Sequence, residues 1–108
     1  MINVGIIGAT GYAGEELIDI LLRHPAVRIT SVSAKIDKPA KISEIFPRFE
    51  SRLQLVCEEP DIKKTAGSCD AVFLALPHTV SMDFVPKLLK LGKRVIDLSA
   101  DYRFNDVR

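Results

Sequence analysis

The chain has 108 residues, of which 47% are hydrophobic, 27% charged and 6% aromatic, and its formal net charge is +1. This composition is typical of one ordinary folded domain and excludes a disordered, fibrous or disulfide-built protein. The near balance of 15 basic and 14 acidic residues provides no broad positive field for a nucleic acid or an anionic membrane. Any binding site for an anion must therefore be local.

Apolar runs alternate with helical patterns along the chain, which predicts strand–helix–strand units around a parallel sheet. Strands are predicted at residues 2–8, 27–33, 53–57, 71–76 and 94–99. Helices are predicted over residues 17–22 and 80–89, with shorter ones at 42–46 and 60–65. The pattern indicates an α/β fold, a Rossmann-like doubly wound parallel sheet of about five strands. Because the complete fold of this type has six strands, we expect a truncated form.

Proline and glycine mark the expected helix ends. The pair His24-Pro25 ends the first helix, and Pro60 is expected in the first turn of a short helix. Gly92 ends the last predicted helix, and Pro86 lies inside that helix, where we expect it to cause a kink.

We expect a cytoplasmic protein. The longest aliphatic and aromatic run, residues 71–76, is far shorter than the roughly 20 residues of a membrane-spanning helix. The first residues carry neither a basic leader nor the cleavage site of a secretory signal. Cys57 and Cys69 lack a metal-ligand spacing, so we expect free thiols and no bound metal.

Three glycines with the spacing G-x-x-G-x-x-G join the first predicted strand to the first predicted helix. Glycine permits a tight turn and a close approach of pyrophosphate to the backbone, and a helix N-terminus presents free N–H groups and a positive dipole end. The loop therefore predicts a dinucleotide site, with the Thr10 hydroxyl as one donor. The alternative is a glycine-rich turn without a ligand. The predicted contacts are Gly8, Thr10, Gly11, Tyr12, Ala13 and Gly14.

The end of the second predicted strand indicates which dinucleotide binds. NAD-binding folds usually have an acidic residue about 20 residues beyond the glycines, where it accepts hydrogen bonds from the ribose hydroxyls. This chain instead has Ser33 and Lys35, a hydroxyl and a cation suited to a 2′-phosphate. We therefore expect NADP, with both residues in contact with it. The alternative is that Lys35 is only a solvated loop charge.

Two further segments follow the fourth and fifth predicted strands, where open parallel sheets bind their ligands. Pro77 and His78 follow the fourth strand, and His78 either donates a hydrogen bond to the cofactor or caps the next helix. Arg103 follows the fifth strand and is either a clamp for a phosphate or carboxylate, or the partner of Asp101 or Asp97 in an ion pair.

Neither cysteine is expected to act as a nucleophile. Cys69 precedes the fourth predicted strand, so it belongs at the amino edge of the sheet, opposite the cofactor. Cys57 ends the third predicted strand, which lies far from the cofactor crevice in the usual strand order. We therefore expect no catalytic residue in this chain.

Five motifs stand out together: Gly5-Ile-Ile-Gly-Ala-Thr-Gly-Tyr-Ala-Gly14, Glu16-Leu17, His24-Pro25, Ala75-Leu-Pro-His78 and Asp97-Leu-Ser-Ala-Asp-Tyr-Arg103. In combination they closely resemble the N-acetyl-gamma-glutamyl-phosphate reductase family of arginine biosynthesis, and the resemblance spans the whole chain. One departure is Thr79, where the family usually has glycine after the histidine.

The resemblance implies an NADPH-dependent oxidoreductase that converts the acyl phosphate N-acetyl-glutamyl phosphate to a semialdehyde through a cysteine thioester. In the family, the catalytic cysteine lies in an Asn-Pro-Gly-Cys type segment and the catalytic histidine in a second domain, and neither occurs here. The resemblance thus implies an NADP-binding domain over residues 1–108 that binds the cofactor without turnover, in a full-length enzyme that forms a homo-oligomer. It also carries over Ser33, Pro77 and His78, and more weakly Ser99 and Arg103 as substrate contacts.

Two other interpretations stay open at this point. The glycine loop is shared with the aspartate-semialdehyde dehydrogenases, so the chain could belong to a reductase of that type. From another functional class, it could be a stand-alone NADP-binding regulatory module.

Overall fold

The computed structural model describes residues 1–76 and 78–98, except for the side chains of His78, Thr79 and Ser81. In chain order the elements are β1 (Ile2–Ile7), α1 (Tyr12–Leu22), β2 (Val27–Ser33), β3 (Ala40–Lys41), α2 (Ile42–Ile45), a 3-10 turn (Pro47–Phe49), β4 (Val56–Cys57), α3 (Ile62–Ser68), β5 (Ala71–Leu74), α4 (His78–Lys90) and β6 (Arg94–Asp97).

Four strands form a parallel sheet in the order β2-β1-β5-β6. The chain leaves β1 toward β2 on one side and later returns to place β5 on the other side of β1. The strand order therefore reverses between β1 and β5, and ligands of such sheets bind at the carboxyl ends of the strands beside that point. The predicted Rossmann-like α/β fold is confirmed.

The third predicted strand, residues 53–57, is wrong as a member of this sheet. Only β4 is extended there, and it pairs antiparallel with β3 in a separate two-stranded ribbon. Leu53 packs into the core instead, and its N–H donates to the carbonyl of Phe49 at 3.0 Å. The ribbon reaches the main sheet through the N–H of Ala34, which donates to the Glu58 carbonyl at 2.9 Å. The described sheet consequently has four strands, with β2 and β6 at its edges.

Helices cover both faces of the sheet. Successive strand residues point to opposite faces, so Ile6 and Ile7 belong to different apolar clusters. Ile6 lies in the cluster that contains Ile18 of α1, and Ile7 lies in the cluster that contains Leu88 of α4. All four side chains are fully buried, and burying each stabilises the fold by about 1.5–3 kcal/mol. The sheet is therefore doubly wound, as predicted.

The helix ends agree with the sequence pattern at most positions. Gly92 follows α4 with a φ of +79°, in the left-handed region that favours glycine. Pro86 lies inside α4. The shorter α3 begins after Asp61, whose carboxylate accepts the N–H of Lys64 at 3.1 Å, and Pro60 therefore lies outside the helix that it was predicted to open. Within the described ranges, the helices lack the length and apolar character needed to cross a bilayer.

Candidate functional site

The glycine loop lies at the carboxyl edge of the sheet, at the point where the strand order reverses. The N–H groups of Gly8 and Ala9 both donate to the carbonyl of Ser33, at 2.7 and 3.0 Å. On the other side, the N–H of Ala75 donates to the carbonyl of Ile7 at 2.8 Å. The segments that follow β1, β2 and β5 are thus held together by backbone hydrogen bonds.

Gly8 and Gly14 are required by close backbone packing. Gly8 has a φ of +93°, and a Cβ there would lie 2.5 Å from the carbonyl oxygen of Ala75. A Cβ at Gly14 would lie 2.6 Å from the carbonyl oxygen of Gly8 and 2.7 Å from that of Ala9. A side chain at Gly8 would therefore push the loop away from β5, and a side chain at Gly14 would push the loop away from α1.

Gly11 has a different environment, because its Cβ position is open. The nearest atom to a Cβ at this position would be the Gly8 carbonyl oxygen at 4.0 Å. Gly11 is the N-terminal cap of α1 and has an ordinary φ of −84°, and no described side chain caps the helix. The first N–H groups of a helix have no intrahelical acceptor. The open space at Gly11 and the uncapped N-terminus of α1 match the requirements of an approaching pyrophosphate.

The other predicted loop residues lie around this opening. Gly11 and Tyr12 are exposed, with Tyr12 at 75% exposure, while Thr10 and Ala13 are partly buried. Sequence reasoning placed all of them near the phosphates, and in the structure they span the turn after β1 and the first turn of α1.

Ser33 and Lys35 differ sharply in accessibility. The Ser33 side chain is only 4% exposed, and its Oγ has no hydrogen-bond partner among the described residues. Buried polar atoms are normally paired, so this orphaned hydroxyl is unusual. Lys35 is exposed and forms no ion pair with a described side chain. Of the two, Lys35 offers its charge to solvent, whereas Ser33 supports the loop through its carbonyl.

A cleft of about 530 Å³ lies beside β2 and α3 and includes Ser33, but it does not include the glycine loop. Carboxylates dominate its charged lining, and Lys64, its one lysine, is paired with Glu58 at 3.3 Å. A phosphate would be repelled by such a lining. The cleft is therefore not assigned to the cofactor. Its acidic members are Asp37, Glu58, Glu59 and Asp61.

Both cysteines are buried free thiols. Burial, with a smaller contribution from the charge of Glu58, raises the pKa of Cys57 to about 11, so this thiol is protonated at neutral pH. Cys69 precedes β5, and its Sγ lies 3.4 Å from Oγ1 of Thr30. The environment of Cys57 therefore does not favour a thiolate nucleophile.

Four predicted site residues cannot be placed by their side chains. Pro77, Ser99 and Arg103 lie outside the described residues. His78 is the first residue of α4, but its side chain lies outside the description.

Sequence reasoning missed a group of ion pairs on the flank of α1. Arg48, in the 3-10 turn, lies 3.3 Å from Glu15, 3.6 Å from Glu16 and 3.4 Å from Asp19. These carboxylates raise the pKa of the Arg48 guanidinium, chiefly through its hydrogen bond to Glu15. The contact joins residues 33 positions apart. The only hint in the sequence is that α1 carries carboxylates and no cation.

The comparisons with known proteins agree with this geometry. Residues 3–107 match the family described as "Semialdehyde dehydrogenase, NAD binding domain". The N-acetyl-gamma-glutamyl-phosphate reductase of Geotalea daltonii is 47% identical over 108 residues, covering 100% of this chain and 31% of that protein. That of Geobacter metallireducens is 45% identical over 106 residues, covering 98% of this chain and 31% of that protein. The chain thus spans about a third of the length of these relatives.

Solved structures give the same fold. The aspartate semialdehyde dehydrogenase with NADP from Candida albicans has a TM-score of 0.80 and 25% identity, covering 95% of this chain and 31% of that chain. Aspartate semialdehyde dehydrogenase II from Vibrio cholerae has a TM-score of 0.63 at 20% identity, covering 90% of this chain and 30% of that chain, which shows the fold alone.

The resemblance to N-acetyl-gamma-glutamyl-phosphate reductases, inferred from five motifs, is confirmed by identities of 41–47% across nearly the whole chain. The family match also confirms the prediction of a nicotinamide dinucleotide as the cofactor. With the loop geometry and the strand order, these findings establish that the chain belongs to the semialdehyde dehydrogenase NAD-binding domain family.

Proposed function

We propose that the chain is the amino-terminal NADP-binding part of an NADPH-dependent N-acetyl-gamma-glutamyl-phosphate reductase. The observation that carries this proposal is the 47% identity to the Geotalea daltonii reductase over all 108 residues. The complete enzyme would reduce N-acetyl-glutamyl phosphate to its semialdehyde, with hydride supplied by NADPH. The residues described here would bind and orient the cofactor, while the catalytic cysteine and histidine would come from the rest of the enzyme.

The glycine loop would hold the pyrophosphate. The space beside Gly11 admits a phosphate close to the backbone, and Tyr12 and Ala13 lie in the first turn of α1, where N–H groups have no intrahelical acceptor. The hydroxyl of Thr10 would add a donor at the rim. Gly8 and Gly14 would not need to touch the cofactor, because their role is to allow the close packing that shapes the loop.

The 2′-phosphate of NADP would lie at the end of β2. Lys35 is exposed there and free of ion pairs with the described side chains, so its ammonium group is available to a phosphate. Ser33, the second predicted contact, lines the acidic cleft, so Lys35 alone supports this part of the proposal and Ser33 stays a prediction from sequence. This proposal also includes two predictions from sequence. Nicotinamide-side contacts are assigned to Pro77 and His78, and substrate contacts to Ser99 and Arg103.

The proposal extends to the protein as a whole. It includes a cytoplasmic enzyme, an NADP-binding domain over residues 1–108, a second domain for the substrate, and a homo-oligomeric assembly of the full-length enzyme. The two free thiols support a reducing compartment.

A fluorescence titration with NADPH and NADH tests the cofactor assignment. NADPH should bind at least about tenfold more tightly than NADH, because only NADPH carries the phosphate that pairs with Lys35. The 108-residue chain should bind NADPH and show no reduction of the acyl phosphate. Equal or tighter binding of NADH would contradict NADP selection, and turnover by this chain would contradict its assignment as a cofactor-binding part.

A second candidate is the aspartate-semialdehyde dehydrogenase reaction, favoured by the TM-score of 0.80 to the Candida albicans enzyme. The complete enzyme separates the two candidates when it is assayed in the oxidative direction with NADP⁺ and phosphate. N-acetyl-glutamate semialdehyde should be oxidised, and aspartate semialdehyde should not. The reverse preference would replace the first candidate by the second.

A further inference from the structure

The helix that would receive the cofactor pyrophosphate is acidic along its flank. Between Tyr12 and Leu22, α1 carries three carboxylates, from Glu15, Glu16 and Asp19, and no cation. Glu15 lies in the first turn, next to the loop. A carboxylate at that end stabilises the free helix but repels a second anion that binds to the same N-terminus. The cofactor site therefore needs a compensating positive charge.

Arg48 supplies that charge from outside the helix. Its Nη1 lies 3.3 Å from Glu15 and 3.6 Å from Glu16, while its Nη2 lies 3.4 Å from Asp19. One guanidinium thus contacts every carboxylate on α1. The side chain is 41% exposed, so the contact adds little to stability, because solvent screens exposed ion pairs.

The position of Arg48 is fixed by its neighbour in the 3-10 turn. Phe49 is fully buried, and the guanidinium carbon of Arg48 lies 5.2 Å from the centroid of its ring. Arg52 lies 5.7 Å from the same centroid and 3.3 Å from Asp19. Arg52 has no ion pair with the two glutamates. The buried ring therefore holds two arginines against α1, and only one of them reaches the end beside the loop.

We infer that Arg48 is a positioning residue for the cofactor, which neutralises Glu15 and Glu16 so that a pyrophosphate can bind at the N-terminus of α1. The inference rests on the proposed function, because it concerns the affinity of the same site. It adds the requirement for a cation beside α1, which the glycine motif does not predict. Arg48 acts through the two glutamates and need not touch the cofactor.

The test is a fluorescence titration of the intact protein with NADPH at low and high salt. Arg48→Gln should raise the Kd roughly three- to tenfold at low salt, and by less than about twofold at 1 M salt, where charges are screened within about 3 Å. Arg52→Gln is the matched control, since it removes the same charge beside the same ring at a similar exposure of 39%. Its Kd should stay within about twofold of the unsubstituted value.

Two further variants separate charge from structure. The first is a triple variant that adds Glu15→Gln and Glu16→Gln to Arg48→Gln. Its affinity for NADPH should return to that of the unsubstituted protein, because the charges that Arg48 neutralises are then gone. Arg48→Lys keeps the cation and should retain most of the affinity. A role in folding alone would lower the melting temperature of Arg48→Gln without this rescue.

The outcomes distinguish the inference from the proposed function. If the unsubstituted protein binds no NADPH, both are overturned. If it binds NADPH and Arg48→Gln binds equally well at low salt, only the inference is overturned. Equal losses in Arg48→Gln and Arg52→Gln, or a loss that the two glutamine substitutions fail to reverse, would also overturn it.

Discussion

Two regions contact α1, and they do so by opposite means. At its N-terminus, the glycine loop packs backbone against backbone, with Gly8 and Gly14 leaving no room for a Cβ. Along its flank, the exposed side chains of Arg48 and Arg52 approach carboxylates at 3.3–3.6 Å. The packed glycine positions accept no larger residue, whereas positions with exposed charged side chains accept many substitutions. On the proposed function, the loop would determine whether the cofactor site forms, and the flank would adjust how strongly the cofactor binds.

Gly8→Ala should give the largest effect on stability. The substitution forces an L side chain into a φ of +93° and places its Cβ 2.5 Å from the Ala75 carbonyl oxygen. Strain and displacement together should cost about 3 kcal/mol in the free energy of unfolding, measured by urea denaturation.

Gly67→Ala is the control for Gly8→Ala. A Cβ at Gly67, in α3, meets nothing within 4 Å. Alanine is the better helix former, so this variant should gain up to about 1 kcal/mol. Similar losses in the two variants would show that the packing at Gly8 is not the cause.

Gly11→Ala should separate binding from folding within the same loop. Its φ of −84° suits any residue and its Cβ meets only one atom, at 4.0 Å, so the unfolding free energy should fall by no more than about 1 kcal/mol, the usual cost of alanine at a helix N-cap. The methyl group would occupy the space assigned to the pyrophosphate, and the Kd for NADPH should rise roughly tenfold, about 1.4 kcal/mol. Unchanged affinity in a titration would remove Gly11 from the proposed site.

Lys35→Ala tests the far end of the cofactor. Loss of a charge-assisted contact to the 2′-phosphate should raise the Kd for NADPH about tenfold and leave that for NADH unchanged. Lys38→Ala, another exposed lysine of the same loop, is the control and should change neither. Parallel losses for both dinucleotides after Lys35→Ala would indicate a general charge effect instead.

The effect of Cys57 should be visible only at high pH. Burial raises the pKa of the folded thiol from 9.0 to about 11, so between these values the unfolded chain loses the proton while the folded chain keeps it. Stability should therefore be unaffected below about pH 9 and should fall as the pH rises from 9.0 to about 11. Urea midpoints at pH 8 and pH 10.5 should show a smaller decrease in Cys57→Ala than in the unsubstituted protein.

The contrast between the two regions also explains what the sequence could predict. The β-branched run of β2 and the glycine spacing before α1 are local signals, and both were predicted at their observed places. β4 was predicted in the wrong sheet, because its partner Ala40–Lys41 is set by tertiary packing and not by its own residues. Likewise, the roles of Gly8 and Gly11 differ only through their neighbours in space, which no spacing of glycines reveals.

Arg48 is the clearest case of information that the linear pattern lacks. Its contact with Glu15 spans 33 positions and depends on a buried ring that orients a surface side chain. A charge in a loop is usually solvated, so sequence reasoning had no basis for linking this arginine to the first helix.

The carbonyl oxygen of Ser33 accepts the N–H groups of both Gly8 and Ala9. One atom at the end of β2 thus connects the residues proposed to choose between NADP and NAD with the loop proposed to hold the pyrophosphate. On the proposed function, a movement at either place would be transmitted to the other through this carbonyl. A redesign toward NAD would have to replace side chains at the strand end while leaving its backbone undisturbed, because a shift of that carbonyl would distort the phosphate loop as well.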